Sequence, residues 1–210
     1  MQIMSRKMRV FEMTTEDEIL PIIKNAEYVF HLAALPRVQY SIKYPVETND
    51  VNVNGTLNVL IASQQERVKR VIYSASSSAY GDQKEMPLRE TMVANPKSPY
   101  GLQKYIGELY CKVWNIVHNL ETVSLRYFNV YGNRQNPDGA YALVIGKFLK
   151  QKVEGKPMTI CGDGNNTRDF TNVKDVVRAN ILVAESNNVG AGEVINIGAG
   201  NNYSVNNVAK

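Results

Sequence analysis

Short apolar runs alternate with longer amphipathic segments over the first two thirds of the chain. The run AEYVFHLAAL, residues 26–35, is rich in strand-favouring residues and is followed by a proline, which is typical of a parallel strand buried on both faces. Residues 45–68 mix apolar with polar positions behind a proline, which predicts a helix. The runs at 69–76 and 122–130 predict two further strands, separated by a predicted helix from about residue 98 to residue 118.

Strand, helix, strand, helix, strand in this order is typical of a doubly wound parallel sheet, so the predicted fold class is α/β. After Tyr131 the sequence becomes polar and glycine-rich, and its elements become shorter. We expect a sheet domain over 1–131 and a small cap over 132–210, and we leave open whether some cap strands join the main sheet. The predicted cap elements are a helix at 142–155, a strand near 157–164, a short strand at 169–173, a helix at 173–186 and a strand at 193–200.

Composition narrows the functional classes. The net charge of +4 is spread along the 210 residues without a basic run, which argues against nucleic acid and favours a small anionic ligand. The two cysteines, Cys111 and Cys161, are far apart and have no neighbouring His/Cys pattern, so we expect neither a disulfide nor a metal site. With no apolar run of signal-peptide or membrane-spanning length, we expect a cytoplasmic protein that does not insert into membranes.

Ser76, Tyr100 and Lys104 form the strongest candidate for chemistry. Tyr100 and Lys104 are four residues apart and therefore share one face of the predicted helix. A phenol has a reference pKa of about 10, and a lysine charge held close in a poorly hydrated cleft can lower it enough for the phenol to act as a base. The same spacing occurs in ordinary surface pairs, and serines are ordinary loop residues. The position of Ser76 at a strand end, Tyr100 at the next helix start and a glycine after Tyr100 together favour catalysis.

Six segments in order resemble the extended short-chain dehydrogenase/reductases: HLAALPRVQYSIKYP, NVNGTLNVL, SASSSAYG, SPYGLQK, LRYFNVYG and GDGNNTRDFTNVKDVV. Within that family the chain is similar to the NAD-dependent epimerase/dehydratase members, most of all to the UDP-glucose and UDP-N-acetylglucosamine 4-epimerases. The resemblance implies a Rossmann-like sheet with a small C-terminal substrate-binding cap and NAD as the cofactor. It also implies epimerisation of a UDP-sugar by transient oxidation at C4.

The resemblance also implies roles for individual residues. Ser76 matches the catalytic serine, Tyr100 the base, and Lys104 the lysine that holds the nicotinamide ribose. Asn129 and Arg168 match residues that contact the diphosphate. The implied cofactor-binding residues are Leu32, Ala33, Ala34, Leu35, Ser76, Tyr100, Lys104 and Phe128. The implied substrate-binding residues are Ser77, Ser78, Asn129, Ala142, Leu143, Val144, Thr159, Ile160, Cys161 and Arg168.

Simpler structural roles stand beside two of these. Arg168 could instead be a surface arginine that pairs with Asp163 or Asp169, and Asn129 could be a turn or capping residue.

The family also implies a homodimer through the helices at 45–66 and 98–118.

The chain departs from the family pattern at both ends. It has no G-x-x-G-x-x-G loop, with MRVFEM where a strand is expected, and it stops in YSVNNVAK. We therefore expect a fragment of a longer protein that lacks the N-terminal glycine motif and the C-terminal part, with a natural truncation as the alternative.

Two other functions stay open. A nucleotide-sugar 4,6-dehydratase shares the fold, the tyrosine and the lysine, but its family places Asp and Glu where this chain has Ser77 and Ser78. A non-catalytic nucleotide-sugar binder or an inactive fragment would fit the missing glycine loop.

Overall fold

A four-stranded parallel sheet with the order β1-β2-β3-β5 forms the centre of the protein. The computed structural model describes residues 16–137 and 143–210. Its strands are β1 (Tyr28–His31), β2 (Arg70–Ser76), β3 (Glu121–Tyr127), β4 (Thr167–Arg168), β5 (Ala191–Ile197) and β6 (Tyr203–Ser204). Its α-helices are α1 (Glu16–Ile23), α2 (Val38–Lys43), α3 (Pro45–Asn49), α4 (Gly55–Gln65), α5 (Pro99–His118), α6 (Val144–Val153), α7 (Val173–Glu185) and α8 (Val205–Val208). A π-helical turn over Asp50–Asn54 joins α3 to α4, and a 3₁₀ turn covers Ser77–Ala79.

Side chains on the two faces of the sheet pack against different helices. Val71 and Tyr73 of β2 are buried together with Leu60 of α4 and Cys111 of α5. Ile72, which points the other way because side chains alternate along a strand, joins a cluster with residues of β3 and α7. Helices therefore cover both faces, and the predicted doubly wound α/β fold is confirmed.

Arg70 of β2 links the C-terminal end of α7 to the sheet through hydrogen bonds. Its guanidinium, 3% exposed, pairs with Glu121 at 2.6 Å. The same guanidinium donates to the carbonyl oxygens of Val183, of Ala184 at 3.2 Å and of Ser186 at 2.8 Å. These carbonyls end a helix and have no intrahelical donor, so the arginine satisfies groups that would otherwise be unpaired.

The helices and strands predicted for the first 131 residues are confirmed, with α3, the π turn and α4 together filling the helix predicted at 45–68. The prediction that β1 is buried on both faces is wrong. Phe30 is 43% exposed: among the described residues β1 is an edge strand that pairs only with β2, and the helix on this face of the sheet, α7, packs on β2 and β3. The short helices α1 and α2 were not predicted.

The cap predictions are confirmed for the helices at α6 and α7 and for a strand at β5, which pairs with β3 and so joins the main sheet. The strand predicted near 157–164 is wrong. Thr159 donates its backbone N–H to the Gln151 side chain at 3.1 Å, and Gly162 and Gly164 turn the chain with positive φ angles of +75° and +70°. The strand predicted at 169–173 is reduced to a single parallel bridge between Asn172 and Tyr131, and the two-residue strand β4 lies just upstream of it.

No helix in the ranges that the structure describes is both long enough and apolar enough to cross a membrane.

Candidate functional site

The Ser76 hydroxyl lies at the carboxyl end of β2, where the strand gives way to a 3₁₀ turn. Its oxygen accepts the backbone N–H of Ser78 at 3.2 Å and lies 2.7 Å from the Ser78 hydroxyl. Ser76 is in the extended conformation and begins the turn as its N-terminal cap. The turn thus fixes this hydroxyl at the edge of the sheet where open α/β proteins bind ligands.

Tyr100 meets that turn from the first turn of α5. Its backbone N–H donates to the Ser41 hydroxyl at 3.0 Å. The next residue is Gly101, and a Cβ atom there would lie 2.7 Å from the carbonyl oxygen of Ser78, so only glycine allows this close approach. Burial raises the pKa of Tyr100, and the nearby Ser76 hydroxyl opposes part of that rise. The structure therefore brings Ser76 and Tyr100 together.

Lys104 lies one helical turn further along α5 and is 3% exposed. Its ammonium donates to the carbonyl oxygen of Ser74 at 2.8 Å and lies 4.9 Å from the ring centroid of Tyr73. Burial lowers the pKa of Lys104 to about 8, and the negative charge of the nearby Glu108 opposes part of that shift.

The expected lowering of the Tyr100 pKa by Lys104 is not seen in this structure. Burial of the phenol is the dominant effect on Tyr100, and the Lys104 ammonium faces the Ser74 carbonyl. The two side chains are nevertheless neighbours on the buried side of α5, as their spacing predicts.

The Leu32–Leu35 segment follows β1 at the same edge of the sheet, and Asn52 of the π turn holds it. The Asn52 amide accepts the Leu35 N–H at 2.8 Å and donates to the Leu35 carbonyl at 3.2 Å. It also donates to the side chain of Gln103 at 2.9 Å. Sequence reasoning missed Asn52 and Gln103; a polar residue on the buried face of each helix was the available signal.

A buried ion pair lies under the site. Glu108 accepts from Arg126 at 2.9 and 2.7 Å, and both side chains are at most 4% exposed. The Arg126 guanidinium stacks 4.3 Å from the ring centroid of Tyr80, and the Tyr80 ring lies 6.4 Å from that of Phe128. Phe128, a predicted cofactor contact, therefore lies beside the Tyr80 ring, and the ion pair lies behind that ring. The ion pair was also missed, because its members come from distant segments.

Asn129, Leu143, Val144 and Arg168 meet in one cavity of about 260 Å³. The other residues that line it are Val130, Tyr131, Ile145, Asn166, Phe170 and Val205. Segments from the end of β3, the start of α6 and β4 therefore converge as the substrate-site prediction requires.

Asn129 and Arg168 each keep hydrogen-bonding capacity for a ligand. Asn129 donates one amide N–H to the Asp169 carbonyl at 2.8 Å, and within 16–137 and 143–210 the second N–H of that amide stays available for another acceptor. Arg168 is exposed and donates to the carbonyl of Thr167 at 2.7 Å. Within 16–137 and 143–210 its guanidinium pairs with neither Asp163 nor Asp169, so the geometry does not favour the surface-pair alternative.

The remaining predicted residues lie elsewhere. Thr159, Ile160 and Cys161 do not line this cavity, and the Thr159 hydroxyl accepts from the Gln151 side chain at 2.8 Å. Ser77 is half-buried in the 3₁₀ turn. Ala142 lies outside the described residues.

Comparison with known proteins gives one family for nearly the whole chain. Residues 3–198 match the model of the NAD dependent epimerase/dehydratase family. A UDP-glucose 4-epimerase from Mycolicibacterium smegmatis is 37% identical over 175 residues, which cover 83% of this chain and 55% of that protein.

Solved structures give the same result. A UDP-N-acetylglucosamine 4-epimerase from Methanobrevibacter ruminantium M1, in complex with UDP-N-acetylmuramic acid, superposes with a TM-score of 0.86 at 42% identity and covers 90% of this chain and 60% of that one. A UDP-glucose 4-epimerase with UDP-glucose from Thermotoga maritima superposes with a TM-score of 0.87 at 38% identity and covers 94% and 64%. The chain spans less than two thirds of the length of each of these proteins.

Proposed function

Because the chain belongs to the NAD-dependent epimerase/dehydratase family, as its motifs predicted, we propose that it carries the catalytic and nucleotide-sugar-binding parts of a UDP-sugar 4-epimerase. One observation carries the proposal: Ser76 and Tyr100 lie together at the carboxyl edge of the sheet, Lys104 lies one turn further along α5 with its ammonium on the Ser74 carbonyl, and Asn129 and Arg168 line a cavity that follows the next strand. The first group suits proton transfer and the second suits a diphosphate.

The cofactor of the family is NAD, and the residues at this edge fit it. The Leu32–Leu35 segment lies at the carboxyl end of β1, and Leu32 is 60% exposed. Lys104 is a buried donor suited to a ribose hydroxyl, and Phe128 offers an apolar contact for the nicotinamide. When bound, NAD supplies the hydride acceptor for C4 of the sugar and a positive charge at the nicotinamide.

The chain's own residues supply the proton transfer. Tyr100 takes the proton from the sugar 4-hydroxyl, and Ser76 orients both groups. Burial raises the pKa of Tyr100, so the phenol needs positive charge nearby to act as a base at neutral pH. Lys104, buried one helical turn away, is the residue of α5 that we assign to supply part of that charge when substrate and cofactor occupy this edge.

Arg168 and Asn129 hold the diphosphate of the substrate. The exposed Arg168 guanidinium is planar and permanently charged, so it can form two parallel hydrogen bonds to phosphate oxygens. The second N–H of the Asn129 amide adds another donor. Leu143 and Val144 form part of the apolar wall for the nucleoside. The substrate class is therefore a UDP-hexose such as UDP-glucose or UDP-N-acetylglucosamine.

Two further features belong to this proposal. We assign the protein to the cytoplasm, since Cys161 is an exposed free thiol and a reducing compartment preserves it. We also assign a homodimer formed through α3, α4 and α5, whose outward side is described in the Discussion.

The test is a product analysis. The chain is incubated with NAD and either UDP-glucose or UDP-N-acetylglucosamine, and NMR detects the C4 epimer; calorimetry measures UDP and NAD binding in parallel. Epimer formation confirms the proposal. A 4-keto-6-deoxy sugar would instead identify a dehydratase, although Ser77 and Ser78 lack the carboxyl groups which that elimination requires. UDP binding without turnover would identify a nucleotide-sugar binder.

A further inference from the structure

Asp169 joins three segments around the diphosphate site. Its carboxylate accepts the backbone N–H groups of Ala199 and Gly200, each at 2.9 Å, from the turn that follows β5. Its own carbonyl oxygen accepts the Asn129 side-chain N–H at 2.8 Å. Asp169 also directly follows Arg168 in the chain. One residue thus connects the end of β3, the β4 segment and the end of β5.

The surrounding backbone is shaped to admit this carboxylate. A Cβ atom built on Gly198 would lie 2.7 Å from a carboxylate oxygen of Asp169 and 3.7 Å from the Phe128 ring. A side chain at residue 198 would therefore displace Asp169, and the glycine leaves room for it beside Phe128.

We propose that Asp169 is a positioning residue for the diphosphate: by anchoring the β4 segment to the turn after β5, it fixes Asn129 and Arg168 on the same ligand. This inference rests on the proposed function, because it assigns a role within the nucleotide-sugar site. Asp169 itself does not touch the ligand, since its carboxylate is occupied by two backbone donors.

The negative charge of Asp169 and its anchoring hydrogen bonds should have opposite effects on UDP affinity. A carboxylate beside a diphosphate site repels the ligand, so loss of this charge alone should tighten UDP binding. Loss of the anchor should weaken it, because the side-chain amide introduced by Asp169→Asn can accept only one of the two N–H groups and presents its own donors to the other. The direction of the change therefore separates the two effects.

The experiment measures the affinity of the whole chain for UDP and for uridine in three variants. Asp169→Asn removes the charge and the anchor, whereas Gly198→Ala keeps the charge and displaces the carboxylate with one methyl group. Asp163→Asn is the matched control: Asp163 also binds a backbone N–H, that of Asn165 at 3.0 Å, and does not line the cavity. Thermal unfolding identifies folded variants, and Gly198→Ala decides if Asp169→Asn does not fold.

We expect Asp169→Asn and Gly198→Ala to weaken UDP binding about tenfold while uridine binding stays unchanged. Asp163→Asn should leave UDP binding unchanged or slightly tighter. Unchanged or tighter UDP binding by the folded Asp169→Asn or Gly198→Ala variant would overturn the inference, and so would an equal loss of uridine affinity. Absence of UDP binding by the unaltered chain would reject the proposed function itself, and the inference with it.

Discussion

Tyr100 is the residue whose removal tests the proposed chemistry most directly. Tyr100→Phe deletes one hydroxyl from a half-buried ring and leaves the contact of Gly101 with the Ser78 carbonyl intact. We expect turnover to fall by roughly 10² to 10⁴, the contribution of a positioned base, while UDP affinity stays the same. Initial rates and UDP calorimetry measure the two quantities.

Tyr105→Phe is the control for Tyr100→Phe, because Tyr105 is also a half-buried tyrosine of α5. It should keep full activity. Near-normal turnover by Tyr100→Phe would reduce the pairing of Tyr100 and Lys104 to a structural contact.

Lys104 gives a prediction about stability and pH. Its pKa is lowered by burial from 10.5 to about 8. Below pH 8 the folded and unfolded states both carry the proton, and the folded state bears the full cost of the buried charge. Between pH 8 and 10.5 the folded state loses the proton first, so the free energy of unfolding rises with pH. The rise amounts to about 3 kcal/mol.

Lys104→Met lacks this titration. The free energy of unfolding of both proteins is measured by urea denaturation at pH 7, 9 and 10.5. The value for the unaltered chain minus the value for the variant should increase with pH. The hydroxyl of Tyr73, whose pKa burial raises, is present in both proteins and largely cancels in the difference. A difference that is independent of pH would mean that Lys104 keeps its proton through this range.

The sequence analysis identified the candidate catalytic residues that are close together in the chain and are related by helical spacing. Tyr100 and Lys104 follow from the helical repeat, and the structure places them one turn apart in α5, with Lys104 buried and Tyr100 half-buried. It did not find Asn52, Glu108 or Arg126. Their roles depend on partners 17 to 51 residues away in the chain, and a polar residue in a helix or strand gives no sign of which distant atom it will meet.

At the scale of elements, the strand predictions were correct for the segments that are buried in the sheet. β2 and β3 are almost wholly buried, so apolar pattern and structure agree. The segment 157–164 has an equally apolar start, but a side chain, that of Gln151, takes the backbone hydrogen bond which a neighbouring strand would have made. The contact that decides this segment lies in α6 and has no local signature in the segment itself.

The attachment of α7 to the sheet depends on Arg70. Arg70→Met would leave Glu121 without its partner and the last carbonyls of α7 without their donor. We expect a loss of about 3 kcal/mol in the free energy of unfolding, measured by urea denaturation.

Lys69→Met is the control for Arg70→Met. It removes the neighbouring cation, whose pair with Glu27 is 3.8 Å long and whose side chain is 46% exposed. Such a pair contributes about 0 to 1 kcal/mol. Equal losses for the two variants would show that Arg70 acts only as a surface charge.

At the scale of the whole molecule, the parallel sheet explains why the site residues meet. Parallel strands end at one edge, so the segments after β1, β2, β3 and β5 collect there although they are far apart in sequence. These segments carry Leu32, Ser76, Phe128 and the turn bound by Asp169. The proposed oxidation site and diphosphate site are therefore neighbours by topology, and the fold predicted from the apolar pattern already implied their common edge.

The outward side of α5 is the basis for the proposed homodimer. Apolar residues recur along it with helical spacing and are between 45% and 66% exposed: Leu102, Leu109, Val113, Ile116 and Val117. Val46 of α3, at 83% exposed, lies on the same side of the sheet, since α3 packs against α5. A single exposed apolar residue is normal, but a continuous stripe on the longest described helix is typical of an interface.

Charge placed in this stripe should separate the two subunits. Val113→Glu puts a carboxylate at the centre of the α5 stripe, where pairing with a second copy would bury it without a partner. We expect the unaltered chain to sediment as a dimer at micromolar concentration and Val113→Glu to sediment as a monomer with unchanged secondary structure. Val177→Glu makes the same change on α7, at a residue 52% exposed on the other face of the sheet, and should remain a dimer. If both variants dissociate, the interface includes α7 and the sheet face beneath it; if neither does, α5 is not the contact, and its apolar stripe requires a different partner.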